Sequence, residues 1–167
     1  MSSLIMKKTG RGLMATLAIA ALGSMLLPGV TLAGTAEEIT SEILAGNAYT
    51  RENLKDMDGG ISSKGSLQFW SSGGLIQRVT GDDAGGTYVS FALTPKHIEV
   101  AVLEEGKSAV AMYYSEGSFH ENGSEPVAHY MTRITEVYVK EGGKWVVRAA
   151  HYSPIAAGSG TRQSSID

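Results

Sequence analysis

The run from Val127 to Ser153, VAHYMTRITEVYVKEGGKWVVRAAHYS, constrains the fold of this chain more than any other segment. On both sides of Gly142-Gly143, β-branched and aromatic residues alternate with polar ones, the period-two pattern of half-buried strands. A Gly-Gly pair between two such runs predicts a two-residue hairpin turn, because tight hairpin turns need positive φ at their central residues. His129, Arg133, Glu136, Arg148 and His151 interrupt the strands, so this hairpin also concentrates the candidate site chemistry.

Five earlier segments carry the same strand signal: Ser66–Trp70, Leu75–Thr80, Thr87–Leu93, His97–Leu103 and Ser108–Phe119. Turn residues separate them, including Ser71-Ser72-Gly73-Gly74, Glu105-Gly106 and Asn122-Gly123. Asn122-Gly123-Ser124 also matches a glycosylation acceptor, but Asn-Gly between two strands is first a hairpin turn. Helix signal is confined to the front of the chain. Ile39, Ile43 and Leu44 recur at helical spacing, with Glu37, Glu38 and Glu42 on the other side and Thr35 or Thr40 placed to cap. A second short helical turn is expected over Thr50–Met57. A leading helix or two followed by a long antiparallel meander is an α+β pattern, with the helices packed on one face of a curved sheet.

Residues 1–33 are expected to be a signal peptide. Lys7, Lys8 and Arg11 precede an apolar run from Leu13 to Leu27, and small residues then lead to Ala33 or, alternatively, Ala36. The run falls short of the roughly 20 apolar residues that a membrane-spanning helix requires. Export to the periplasm or the extracellular space follows. The expected organisation is a leader over 1–33, a domain over 34–155 and a Gly/Ser-rich tail over 156–167. Removing Lys7, Lys8 and Arg11 from the fourteen basic residues leaves eleven against seventeen acidic ones, so net charge moves from −3 to −6. An acidic domain without a basic run is a poor partner for nucleic acid or for an anionic membrane surface. The chain has no cysteine, which removes disulfides, thiol nucleophiles and thiolate metal ligands. The four histidines, His97, His120, His129 and His151, show no metal-binding spacing, so neither a metal nor a cofactor is expected.

The segment TRITEVYVKEGGKWVVRAAHYS resembles the last two strands of the nuclear transport factor 2-like superfamily. That group includes SnoaL-like polyketide cyclases, ketosteroid-isomerase-like proteins and the association domain of calcium/calmodulin-dependent kinase. The resemblance rests on Gly143, Lys144, Trp145, His151 and Ser153, and more weakly on FWSSGG at 69–74. It implies a cystatin-like cone with a cavity between sheet and helices, and it implies frequent dimers. It implies no single reaction, because fold and chemistry are separable.

A two-residue turn at Gly142-Gly143 sets Glu141 opposite Lys144, Glu136 opposite Ala149 and Ile134 opposite His151. One sheet face then carries Tyr130, Thr132, Ile134, Glu136, Trp145, Val147, Ala149, His151 and Ser153. Pairing across Asn122-Gly123 adds Ala109, Ala111 and Tyr113 to it. Small residues around one tryptophan leave room for a helix or a cavity, so this face is read as the pocket side. The opposite face carries His129, Met131, Arg133, Arg148 and Tyr152, with Glu116 opposite His129, and suits a contact between subunits. A one-residue bulge would exchange the faces and bring Arg133 beside His151.

Three functions are compatible with this pattern. The first is a binding module for a small hydrophobic or mildly polar molecule, with Tyr113, Tyr130, Trp70, Arg133 and His129 as its candidate ligand contacts. The second is a lyase or isomerase in which His151 and Glu136 form an acid–base pair. The third is a scaffold that dimerises through its sheet face without catalysis. An inward His151 beside Glu136 would favour catalysis.

Overall fold

A computed structural model describes residues 33–83 and 85–155. The expected leader, up to residue 32, and the expected tail beyond residue 155 lie outside the described residues. One helix, α1 (Thr35–Asn53), is followed by seven strands: β1 (Ser66–Phe69), β2 (Gln77–Val79), β3 (Tyr88–Phe91), β4 (Thr94–Glu104), β5 (Ser108–Glu121), β6 (Val127–Glu141) and β7 (Lys144–Pro154). All seven fall where the alternation placed them. The turn expected over Thr50–Met57 is instead the end of α1, which stops at Leu54 in a left-handed conformation, φ 53°.

Helix α1 forms because Ile39 and Ile43, one turn apart, supply an apolar stripe that buries against Ala109 and Ala111 of β5, together with Tyr138 and Trp145. Full burial of each isoleucine stabilises the packing by about 1.5–3 kcal/mol. Leu44 lies off the stripe and is exposed. Neither Thr35 nor Thr40 is the cap. The N-cap is Gly34, which has no side chain, and the buried amide of Thr35, without a partner in the helix, donates instead to Glu105 Oε1 at 2.9 Å from the β4–β5 turn. At the other end, Asn47 and Arg51 donate to the carbonyl of Leu93, at 3.1 and 2.6 Å, at the corner between β3 and β4. The helix is thus pinned across one side of the sheet at both ends.

The sheet runs β2-β1-β7-β6-β5-β3, with β4 also paired to β5. β4 takes the first part of β5 and β3 its last residues. Pairing is antiparallel throughout except for β1 with β7, which run parallel. The hairpin turn is as expected: Gly142 and Gly143 both have positive φ, 56° and 84°, and Glu141 pairs with Lys144.

Register holds only as far as Tyr138, which faces Val147. The next pair is Val137 with Ala149, so Arg148 is an extra residue in β7. From there on, Glu136 faces Ala150, Thr135 faces His151 and Ile134 faces Tyr152. The bulge coincides with a change of neighbour on the other edge of β7. Val147 bonds the backbone of Gly60 and Ser62, whereas Ala149 pairs with Leu67 of β1. Arg148 Nη1 donates to the carbonyl of Gly65 at 2.8 Å and ties the extra residue to the turn that joins those neighbours.

A second irregularity lies where Gly117–Phe119 of β5 faces Val127–Tyr130 of β6, which carries one extra residue there, and His129 within it has φ +55°. Together with a one-residue shift already present at Phe119–Val127, it sets Glu116 opposite Met131 rather than His129.

Candidate functional site

The concave side of the sheet, flanked by α1 and the segment after it, encloses a cavity of about 810 Å³ that opens to solvent. One buried polar group on its wall is Glu136. This carboxylate is buried in the middle of β6 and is held by three tyrosyl hydroxyls from three strands. Tyr113 of β5 and Tyr138 of β6 donate to Oε2 at 3.0 and 2.8 Å, and Tyr152 of β7 donates to Oε1 at 3.1 Å. Burial pushes the Glu136 carboxyl above its ordinary range, and the three hydroxyl donors oppose that rise. Burial also raises the three phenols well above theirs, so each remains a hydrogen-bond donor to the carboxylate.

Trp70 stands at the mouth. Its indole stacks on Tyr152 with centroids 5.3 Å apart and planes 8° from parallel, and its Nε1 donates to Gln77 at 2.8 Å. Tyr130 lines the same cavity, its hydroxyl 2.6 Å from Ser71 Oγ and its ring edge-on to Phe119. A second carboxylate faces this space. Asp56, just past α1, accepts from the Gly86 amide at 2.9 Å and from the Tyr88 hydroxyl at 3.1 Å, and burial raises its carboxyl too.

Glu136, Tyr113, Tyr130 and Trp70 are therefore together in one cavity. His151, Arg133 and His129 are not. The Arg148 bulge turns His151 to the outer face, where it is exposed and edge-on to Phe69 at 5.6 Å. Ala149 and Ser153 leave the pocket face with it, and Tyr152 takes the inward position. Arg133 is exposed on the outer face and bonds Ser153 Oγ at 3.1 Å, diagonal to His151. His129 is exposed, with positive φ, in the irregular stretch of β6 that faces Ser118. Glu136 and His151 thus form no acid–base pair.

Tyr138, Tyr152, Asp56, Gln68 and Tyr88 were not singled out from the sequence. Tyr138 was within reach, because it lies two residues from Glu136 on the same strand and must share its face. Tyr152 required knowledge of the bulge, and Asp56 sits in a turn with no periodicity to read.

No family model matches this chain, and no curated protein matches it. Solved structures do. A proposed calcium/calmodulin-dependent kinase II association domain from Exiguobacterium sibiricum superposes with a TM-score of 0.53 at 15% identity, over 78% of this chain and 100% of that one. A ketosteroid isomerase-like protein from Erwinia carotovora gives 0.50 at 14% identity, over 72% and 92%. A nuclear transport factor 2-like protein of unknown function from Pseudomonas putida gives 0.48 at 19%, over 70% and 83%. The fold is the cone shared with the association-domain and ketosteroid isomerase-like structures, the one that the resemblance of the final hairpin implies. At these identities the likeness is one of fold and carries no reaction.

Proposed function

We propose that this protein is an exported, non-catalytic binding module that holds a small molecule in the cavity of the cone and pairs with a second copy through the outer face of its sheet. The observation that carries the binding reading is the Glu136 cluster: a buried carboxylate fixed by three hydroxyls at the floor of an open cavity of about 810 Å³. That volume lies within the range of small-molecule sites, and a few fixed polar groups in an aromatic wall are what orient a ligand. Catalysis through His151 loses its support because the sheet separates that imidazole from Glu136. The leader pattern of residues 1–33 supports export. The exposed side chains of Met112, Tyr114 and Met131 on the outer face support pairing.

The binding reading is tested by native mass spectrometry of protein recovered from the exported fraction, together with thermal-shift screening of small molecules. A co-purifying adduct, or a compound whose stabilisation is lost in Trp70→Ala, is expected. A protein that carries nothing and responds to no compound would count against the reading.

A further inference from the structure

Taking the binding reading as given, we propose that the cavity is built for a protonated amine, recognised through hydrogen-bond acceptors and aromatic faces. The charge of the wall is the first observation. Glu42, Asp56, Asp83, Glu121 and Glu136 line the cavity, while no lysine, arginine or histidine does so among the described residues. A cation entering this space meets acids without a competing base, and an anion meets only repulsion.

The direction of the hydrogen bonds is the second. The hydroxyl protons of Tyr113, Tyr138 and Tyr152 are all used on Glu136, and that of Tyr88 is used on Asp56. Each phenol oxygen is left with lone pairs and no proton to offer. Three further donors on the wall are spent as well: Trp70 Nε1 on Gln77, Trp145 Nε1 on Glu38, and the Gly86 amide on Asp56. Around the two carboxylates the wall therefore offers acceptors rather than donors, so the complementary ligand brings N–H groups there.

Gln68 supplies a third, independent observation. Its side chain lies on the cavity wall and is 3% exposed, and its Nε2 donates to Ser66 at 3.2 Å. Its Oε1 is buried without a partner, the one such side-chain atom among the described residues. Buried acceptors are rarely left unpaired without a reason, and an ammonium donor satisfies this one. The aromatic faces of Trp70, Tyr130 and Tyr152 add cation–π attraction along the wall. Among the described residues no group of three histidine or acidic side chains could hold a metal ion, which directs the charge complementarity to an organic cation.

The test uses matched ligands that differ only in the polar group. A panel of primary amines of graded size, including 2-phenylethylamine, is titrated by calorimetry into the purified protein against the matching alcohols and carboxylates. Amines are expected to bind at least about tenfold more tightly than their alcohols, the scale of one charge-assisted hydrogen bond, with the carboxylates unbound. Glu136→Gln and Asp56→Asn should each reduce that preference. Because the wild-type comparison needs no variant, it stands even if one substitution prevents folding. Alcohols or carboxylates that match the amines would overturn the amine assignment and leave the binding reading intact. If no member of the panel binds and no adduct co-purifies, both fail together.

Discussion

The hydroxyl of Tyr152 reaches Glu136 Oε1 at 3.1 Å only because β7 carries one residue more than β6 between the hairpin turn and this pair. Without Arg148 as an extra residue, side-chain parity would place His151 over the cavity and turn Tyr152 to solvent. The bulge therefore decides whether an imidazole or a phenol meets the buried carboxylate.

That relationship sets two neighbouring substitutions against each other. Tyr152→Phe removes one of the three donors to Glu136 and should cost about 1–3 kcal/mol, as for a buried hydrogen bond to an ionisable group. His151→Ala removes only an exposed ring with an edge contact to Phe69, and should change stability by less than about 0.5 kcal/mol. Urea denaturation of both variants measures the difference. The opposite ranking would place His151 inside and refute the register.

Gly117 makes a second position unusually intolerant. Its φ is +139°, a region that side-chain-bearing residues avoid, and a Cβ there would lie 2.1 Å from the carbonyl oxygen of Ala92. The backbone conformation alone costs about 1–3 kcal/mol for alanine, before the clash. Gly117→Ala should therefore lower the urea midpoint by more than Gly106→Ala, whose added Cβ meets nothing within 4 Å. Equal losses would mean that the β3–β4 corner yields to the methyl group.

Much of this architecture was legible in local pattern, because strand alternation and turn chemistry act over a few residues. Gly142-Gly143 announced its turn, all seven strands could be placed, and strand parity set Glu136, Tyr113 and Tyr130 on one face. What escaped depended on partners distant in sequence. The Arg148 bulge follows from β7 changing neighbours between Gly60–Ser62 and Leu67, and nothing within β7 signals that change. Glu105 caps a helix that begins seventy residues earlier. Asp56 enters the cavity from an irregular segment fixed by Gly86 and Tyr88.

The outer face yields a prediction about assembly. Met112 and Met131 are 56% and 41% exposed on adjacent strands, beside the exposed Tyr114. If this surface joins two copies, Met112→Lys combined with Met131→Lys places charge in the contact and shifts the protein to monomer in sedimentation equilibrium, with the fold intact by circular dichroism. Wild-type protein that stays monomeric at every concentration would remove the subunit contact from the proposal.

The buried carboxylate predicts how stability depends on pH. In the unfolded chain Glu136 titrates near 4.5, whereas burial raises it in the folded protein. Below the unfolded value both states hold the proton and the group contributes no slope. Between the two values the folded state keeps a proton that the unfolded state has lost, so stability falls as pH rises, by at most about 1.4 kcal/mol per pH unit for one group. Above the folded value the loss is complete. The groups facing Glu136 are Tyr113, Tyr138 and Tyr152, all raised out of this range, while Asp56 across the cavity shifts in the same direction. Glu136→Gln removes the Glu136 component alone, so the stability of the variant relative to wild type should rise with pH through the window above 4.5 and then level off. Chemical denaturation at a series of pH values reads this difference directly. A variant that loses ground to wild type as pH rises would show that the three hydroxyls outweigh burial and hold Glu136 below its ordinary value.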